Sequence, residues 1–417
     1  MKNKTKLPKV LYIGDKWCSG DIKLGVSEWE TNLWKSMKST GLMNLEIFHF
    51  DDYYYRFKKL GDEALIKKIT KYQPDIICLI IYRIPGSDFN IPTWKTLDII
   101  KNRFKIPIMG VWGDLAKSEQ VELSRSLLPY TTINAATETA AAVSRINNPK
   151  KYMYMWVPKN PTIFNDPQKE RDIDVSYAGY PKLDRLKRIN YLVKKGVEVY
   201  NHGGESKEHL TTKEYADVFK RSKITLSFSR NDYCHVINAR PFEAMNCGAM
   251  LLEEENIETA KLFTPFVDYV PYTGKKDLLR KVQYYLEHDK ERKRIARNGY
   301  EKVTNLYTAK RFWQMMIGRV LKTSSRNTNN LLFLKPSNLS YLSQWKRVKL
   351  RFLDTICSNN LGFRVYKTIC ITSDIEYWKS LLFMLLTSIK IFLKKHLPPK
   401  AFKVIHKTAK FIFRIKK

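Results

Sequence analysis

From Pro8 onward, short apolar runs alternate with stretches whose apolar residues recur at helical spacing, which is the pattern of a parallel sheet with crossover helices. "KVLYIG", "NLEIFHF", "DIICLIIY", "IPIMGVWGD" and "TTINAA" read as strands. "SEWETNLWKSMKST", "DEALIKKITKY" and "PTWKTLDIIKNRF" read as the helices between them, each behind a capping or turn residue. A polar, proline-bearing stretch, "YMYMWVPKNPTIFNDPQKERD", then reads as a linker. The alternation resumes with strands "DVSYAG", "GVEVYN", "KITLSFS", "AMLLEE" and "DYVPY". Their helices are "KLDRLKRINYLVKK", "TKEYADVFKRS", "RPFEAMNC", "KKDLLRKVQYYLEH" and "KERKRIARNGYEKVTNLY". The pattern therefore predicts an α/β protein of two doubly wound units: residues 1–160, residues 161–321, and a remainder from 322 to 417 that opens on the linker-like "KTSSRNTNN". Ligands in such sheets bind beyond the carboxyl ends of the strands.

Composition changes this picture in one respect. The chain of 417 residues carries 74 Lys and Arg against 41 Asp and Glu, a net charge of +33. Such an excess predicts an anionic partner and is silent about fold. Its distribution is uneven, since residues 331–417 hold 18 Lys and Arg against 3 Asp and Glu, a net of +15. The six cysteines are scattered, without a CxxC pair or a metal-like grouping with histidine, which argues against a disulfide framework or a zinc site and for a reducing compartment. The start, "MKNKTKLPKVLYIGDKW", has too short an apolar run for a signal-peptide core.

The candidate chemistry gathers in the second unit. In "RPFEAMNCGA" a single acid, Glu243, stands between an aromatic residue and a turn ending in glycine. A carboxylate there is either a first-turn acid favoured by the helix dipole or a ligand for a vicinal diol, to which it offers two acceptor oxygens. "DVSYAGYPKLDRLKRINYL", "SKITLSFSRNDYCHVINARPFEAMNCGAMLLEE" and "DLLRKVQYYLEHDKERKRIARNGYEKVTNLYTAKRF" together resemble the C-terminal half of group 1 glycosyltransferases, most closely the CgeB-like spore-maturation branch. The likeness runs from about Asp174 to Trp313.

That resemblance implies the GT-B architecture, two Rossmann-like domains facing a cleft, with a nucleotide-sugar donor held mainly by the second. It implies that Glu243 accepts from the donor ribose and that Arg240 meets the diphosphate. Gly179, Arg185 and Arg188, in and after "YAGYPKLD", fall where relatives meet the donor phosphates; a solvated helix face is the other reading of both arginines. Related enzymes often carry a second glutamate seven residues before Glu243. Here His235 occupies that position, as a sugar or phosphate ligand or as an ordinary loop histidine. The helix "RPFEAMNC" would present its amino end to the diphosphate, with Gly248 and Ala249 allowing the following turn to pack closely.

In the first unit, "YIGDKWCSGDIKLG" is not a GxGxxG fingerprint. By the same resemblance, Asp15 and Asp21 in it are acceptor-side candidates. Asp114 in "GVWGDLAKSE" follows a strand and is the candidate for acceptor contact or proton abstraction, its alternative being a helix cap. Asp172 and Asp174 form a DxD pattern, but relatives neutralise the leaving diphosphate with basic side chains and helix ends, so no metal or other cofactor is expected. "FDDYYY" reads as a loop without partner ligands.

The tail closes on "KAFKVIHKTAKFIFRIKK", where Lys400, Lys403, Lys407, Lys410, Arg414 and Lys417 form one helical stripe opposite Phe402, Ile405, Ala409 and Ile412. This is the pattern of a helix lying in an anionic membrane interface, the alternative being a basic helix packed on the core or on a partner. The preceding "WKSLLFMLLTSIKIFL" is interrupted by Lys379 and Lys390, short of the roughly 20 apolar residues a spanning helix needs. The apolar face argues against a nucleic-acid arm. The expectation is a glycosyltransferase on the cytoplasmic face of a membrane, passing a sugar to a glycan or lipid-linked acceptor. The alternatives are another GT-B nucleotide-sugar reaction, such as epimerisation, or a non-catalytic anion- or nucleic-acid-binding protein.

Overall fold

The structure is a computed structural model of the full chain. It describes residues 7–113, 115, 118–137, 151–179, 183–202, 210–228 and 237–321. Asp114, His235 and the basic tail, three of the sequence expectations, lie outside the described residues.

Two wholly parallel sheets form. The first comprises β1 (Lys9–Ile13), β2 (Asn44–Phe48), β3 (Ile76–Ile81), β4 (Ile108–Trp112), β5 (Ile133–Ala136) and β6 (Tyr152–Tyr154), in the order β2-β1-β3-β4-β5-β6. The second comprises β7 (Ile173–Ala178), β8 (Tyr200–His202), β9 (Ser222–Ser227), β10 (Met250–Glu254) and β11 (Val270–Tyr272), in the order β11-β10-β9-β7-β8. Strands covered by helices on both faces must be apolar throughout, and "IICLII" in β3 is buried at every position. The order reverses between β1 and β3 in the first sheet and between β7 and β9 in the second. These reversals leave a crevice at each carboxyl end.

Local chemistry fixes the helix ends. Thr211 and Glu214 make a reciprocal capping box for the helix Thr212–Arg221, and Thr308 caps the helix Ala309–Val320. That last helix returns to the first sheet: Trp313 is fully buried and its indole N–H donates to Ser36 Oγ at 3.2 Å. One apolar cluster consequently takes in Val10, Leu33 and Met109 from the first domain with Phe242, Phe312 and Trp313.

Two local readings change. The stretch read as a linker contributes β6 through its first residues, because Tyr152 and Met153 continue the buried edge of the sheet beside β5. "FDDYYY" is not a loop but the start of the helix Phe50–Phe57, whose buried Asp51 accepts from the backbone N–H groups of Lys16 and Trp17.

Candidate functional site

The carboxyl end of β7 is where the second sheet reverses, and the sequence brings Arg240 there. Its Nη2 donates to the carbonyl of Ala178, the last residue of β7, at 2.8 Å, and its guanidinium lies 5.0 Å over the ring of Tyr177. Gly179 makes this approach possible. It has φ +130°, and a Cβ on it would come within 2.5 Å of Arg240 Nη2. Arg240 Nε is buried and has no hydrogen-bond partner among the described residues. Burial opposes the charge of Arg240, but Tyr215, Tyr177 and Glu243 outweigh it and hold the guanidinium more firmly protonated than usual.

One turn along the same helix, Arg240–Asn246, Glu243 is buried rather than free. Its Oε1 accepts from Lys159 Nζ at 2.5 Å and its Oε2 from the Tyr215 hydroxyl at 2.8 Å. Lys159, on the chain joining the two sheets, is also buried, so the pair bridges the joining segment and the second domain. Burial pushes the Glu243 carboxyl up, but Lys159, Arg240 and the Tyr215 hydrogen bond hold it below the usual carboxylate range. A carboxylate offers about four acceptor directions. Among the described residues Lys159 and Tyr215 take two of them.

From the first domain, Glu28 lies within the electrostatic reach of Glu243, Lys159 and Arg240. One turn further along, Asn32 Oδ1 accepts from the Asn160 backbone N–H at 3.4 Å. Although Glu28 is exposed as a residue, the protein around its carboxyl and the charge of Glu243 raise it above its usual range, against the pull of Lys159 and Arg240. Sequence reasoning missed Glu28, Lys159 and Tyr215. Lys159 stood in a segment that read as a linker, and the one visible signal was a lysine between two short apolar and proline-bearing pieces of a chain crossing.

The other expected residues divide. Arg185 donates to the Tyr177 hydroxyl at 3.0 Å, beside Arg240. Arg188 is half-buried in an ion pair with Glu254, Nη1 to Oε2 2.8 Å, at the carboxyl end of β10. Asp15 is buried behind β1, and Asp21 caps a short turn by accepting from Lys23 N. Asp172 and Asp174, the DxD pattern, lie at the amino end of β7 and pair with Arg221 and Lys223, away from the reversal. Among the described residues no three His, Cys, Asp or Glu side chains are grouped to hold a metal.

Two clefts lie elsewhere in the second domain. One of about 560 Å³ is lined by Thr162, Tyr200 and the helix Thr212–Arg221. The other, of about 640 Å³, adjoins the amino end of β9 at Lys223, where Arg171, Lys223 and Arg292 are already paired with Asp166, Asp174 and Asp289. Neither meets a strand reversal, so chemistry outweighs volume in choosing the site.

Comparison with known proteins bears on the fold. Residues 170–318 match the family model described as glycosyl transferase-like. The glycosyltransferase from Rickettsia africae ESF-5 is similar over 77% of this chain and all of its own, with 12% identity and a TM-score of 0.52. Anabaena HepE, in complex with UDP and glucose, is similar over 76% of this chain and all of its own, with 12% identity and a TM-score of 0.51. No curated protein matches the chain by sequence. The protein therefore has the GT-B fold, two Rossmann-like domains facing a cleft. Its second domain carries the glycosyl transferase-like match, and Arg240, Glu243 and Tyr215 all fall within the matched residues.

Proposed function

We propose that this protein is a glycosyltransferase that moves a sugar from a nucleotide-diphosphate donor to a glycan or lipid-linked acceptor at the cytoplasmic face of a membrane. The observation that carries the reading is the pairing of a fixed cation, Arg240, with an ionised carboxylate, Glu243, one turn apart at the reversal of the second sheet. Arg240, with Arg185 beside it, neutralises the diphosphate as the bond to the sugar breaks. Glu243 accepts hydrogen bonds from the ribose hydroxyls. The "RPFEAMNCGA" motif, with His235 where relatives often have a glutamate, favours the CgeB-like branch, and retention of anomeric configuration follows from that likeness alone. HepE was seen with UDP and glucose, which makes UDP-glucose the first donor to try.

Titration calorimetry with UDP-glucose and other nucleotide sugars tests the reading. At least one is expected to bind, and Gly179→Ala, which pushes Arg240 off Ala178, is expected to weaken it about tenfold. Failure of every nucleotide sugar to bind folded protein would remove the proposal.

Residues 331–417 attach the enzyme to anionic membrane on this reading, each Lys or Arg near the surface contributing about 1 kcal/mol. Full-length protein is expected to float with phosphatidylglycerol liposomes and not with phosphatidylcholine. A chain ending at Leu321 is expected to stay behind. Equal flotation of the two chains would take the anchor away from the tail.

A further inference from the structure

The cleft of about 640 Å³ at the amino end of β9 carries more positive charge than its acids absorb. Six cations line it, Lys169, Arg171, Lys223, Arg292, Lys293 and Arg297, against three acids, Asp166, Glu170 and Asp289. Arg171 and Lys223 have an acid each, Asp166 and Asp174, and Arg297 pairs along its own helix with Glu301. Arg292 and Lys293 share one carboxylate, that of Asp289. Two cations on one carboxylate leave a positive charge over.

Arg292 is the cation least suited to such an arrangement. It is 4% exposed, and its Nε is buried without a hydrogen-bond partner among the described residues. Its Nη2 meets Asp289, and its Nη1 reaches the carbonyl of Lys223 only at 3.5 Å. Every polar hydrogen of a guanidinium is a donor, and burying such donors unpaired is costly. The backbone adds to the demand. Arg292 ends the first turn of the helix Asp289–Leu306, whose amino end no side chain caps. The leading N–H groups of a helix lack partners within it and attract negative charge. Asp289, the first residue of that helix, lines the cleft, so the helix end and the buried guanidinium meet at one place.

Chemistry selects the ligand. A metal cation is repelled by six positive side chains. A neutral sugar brings donors as well as acceptors, but Asp166 and Asp289, which would take those donors, are already in ion pairs. A phosphate monoester carries about two negative charges near pH 7 and only acceptor oxygens, which a guanidinium meets bidentately and an open helix end attracts. The space exceeds that of the phosphate alone and falls among small-ligand pockets, roughly 300–1,000 Å³, so an organic group accompanies it. Tyr300, with Arg297 5.5 Å over its ring, gives that group a wall.

We propose that this cleft is a second ligand site, taking a phosphate monoester on Arg292, Lys293, Lys169 and the amino end of the helix Asp289–Leu306. It adjoins the amino ends of the strands of the second sheet, whereas Arg240 meets the carboxyl end of β7, so its ligand is not the donor. The site does not depend on the glycosyltransferase reading. Soluble esters and lipid head groups share this chemistry, and the test separates them.

The test is titration calorimetry of the full-length protein with phenyl phosphate, dihexanoyl phosphatidic acid below its micelle concentration, and phenol. At least one phosphate ester is expected to bind saturably, and phenol not to bind. Tighter binding of phenyl phosphate names a soluble ligand, and tighter binding of the phosphatidic acid names a membrane head group. The variant Lys169→Gln with Lys293→Gln changes two exposed positions and is expected to weaken the ester about tenfold. Arg292→Gln is expected to weaken it further, its urea midpoint being measured alongside to show that it folds. Binding of neither ester, phenol binding as tightly as its phosphate, or full affinity in either folded variant overturns the proposal. So does displacement of the ester by UDP, which would put it in the donor site instead. Protein that binds an ester but no nucleotide sugar keeps this site and loses the glycosyltransferase. Protein that binds nucleotide sugars and neither ester keeps the glycosyltransferase and loses this site.

Discussion

Replacing Glu243 with alanine is expected to lower stability by about 3–5 kcal/mol, the loss typical when one partner of a buried ion pair is removed and the other is left unpaired. The residue left unpaired is Lys159, whose side chain is 4% exposed against 3% for Glu243. Donor affinity is expected to fall tenfold to a hundredfold as well, through lost charge-assisted hydrogen bonds to the ribose. The two effects separate in the double variant Glu243→Leu with Lys159→Met, in which an apolar pair fills the space. Its urea midpoint is expected to return most of the way to that of the wild type, while its affinity by calorimetry stays low. A stable Glu243→Ala would show that the pair is not buried in solution. A stable double variant with full donor affinity would remove Glu243 from the site.

Stability is also expected to fall as pH rises from about 4 to 8, through Asp15. Burial and the neighbouring charge of Asp51 push its carboxyl up to about 8, with Arg83 opposing and Asp88 adding to the rise. In the unfolded chain an aspartate titrates near 3.9. Because the folded value is the higher one, the folded state holds the proton more tightly. The contribution is complete below the unfolded value and is lost as pH climbs through the folded one. Asp15→Asn has no proton to lose. The stability of this variant relative to the wild type is therefore expected to rise by about 3 kcal/mol between pH 5 and pH 8, measured by urea unfolding at each pH. Parallel pH profiles would instead make Asp15 an ordinary ionised partner of Arg83.

Much of the fold was legible because strands buried on both faces leave an unmistakable mark. "DIICLIIY" admits little but a central parallel strand, and "TKEYADVFKRS" carries its helical spacing behind a capping threonine. The "RPFEAMNCGA" segment was legible for a similar reason, as a helix start with proline in its first turn and a single acid in an otherwise apolar setting. "FDDYYY" misled because two acids followed by three tyrosines show no helical period of apolar residues. Its helix follows from Phe50 entering the core and from Asp51 binding the loop after β1. The short β6 was hidden in polar and proline-bearing surroundings, since three residues give no period to read.

By itself the sequence determined two α/β units in succession, an acid and an arginine one helical turn apart in the second, and an uneven store of positive charge. Those features are local: they follow from spacing and residue type within a few turns of chain. Only the tertiary structure decided what Glu243 touches. Lys159 lies 84 residues away along the chain and Tyr215 lies 28 away, and their contacts with Glu243 arise only once the joining segment and the second sheet have packed together. That buried atoms of Asp15, Trp17, Arg83 and Asn90 find no hydrogen-bond partner among the described residues was beyond sequence reasoning for the same reason. Whether a buried polar group finds a partner depends on where every neighbouring chain finally comes to lie.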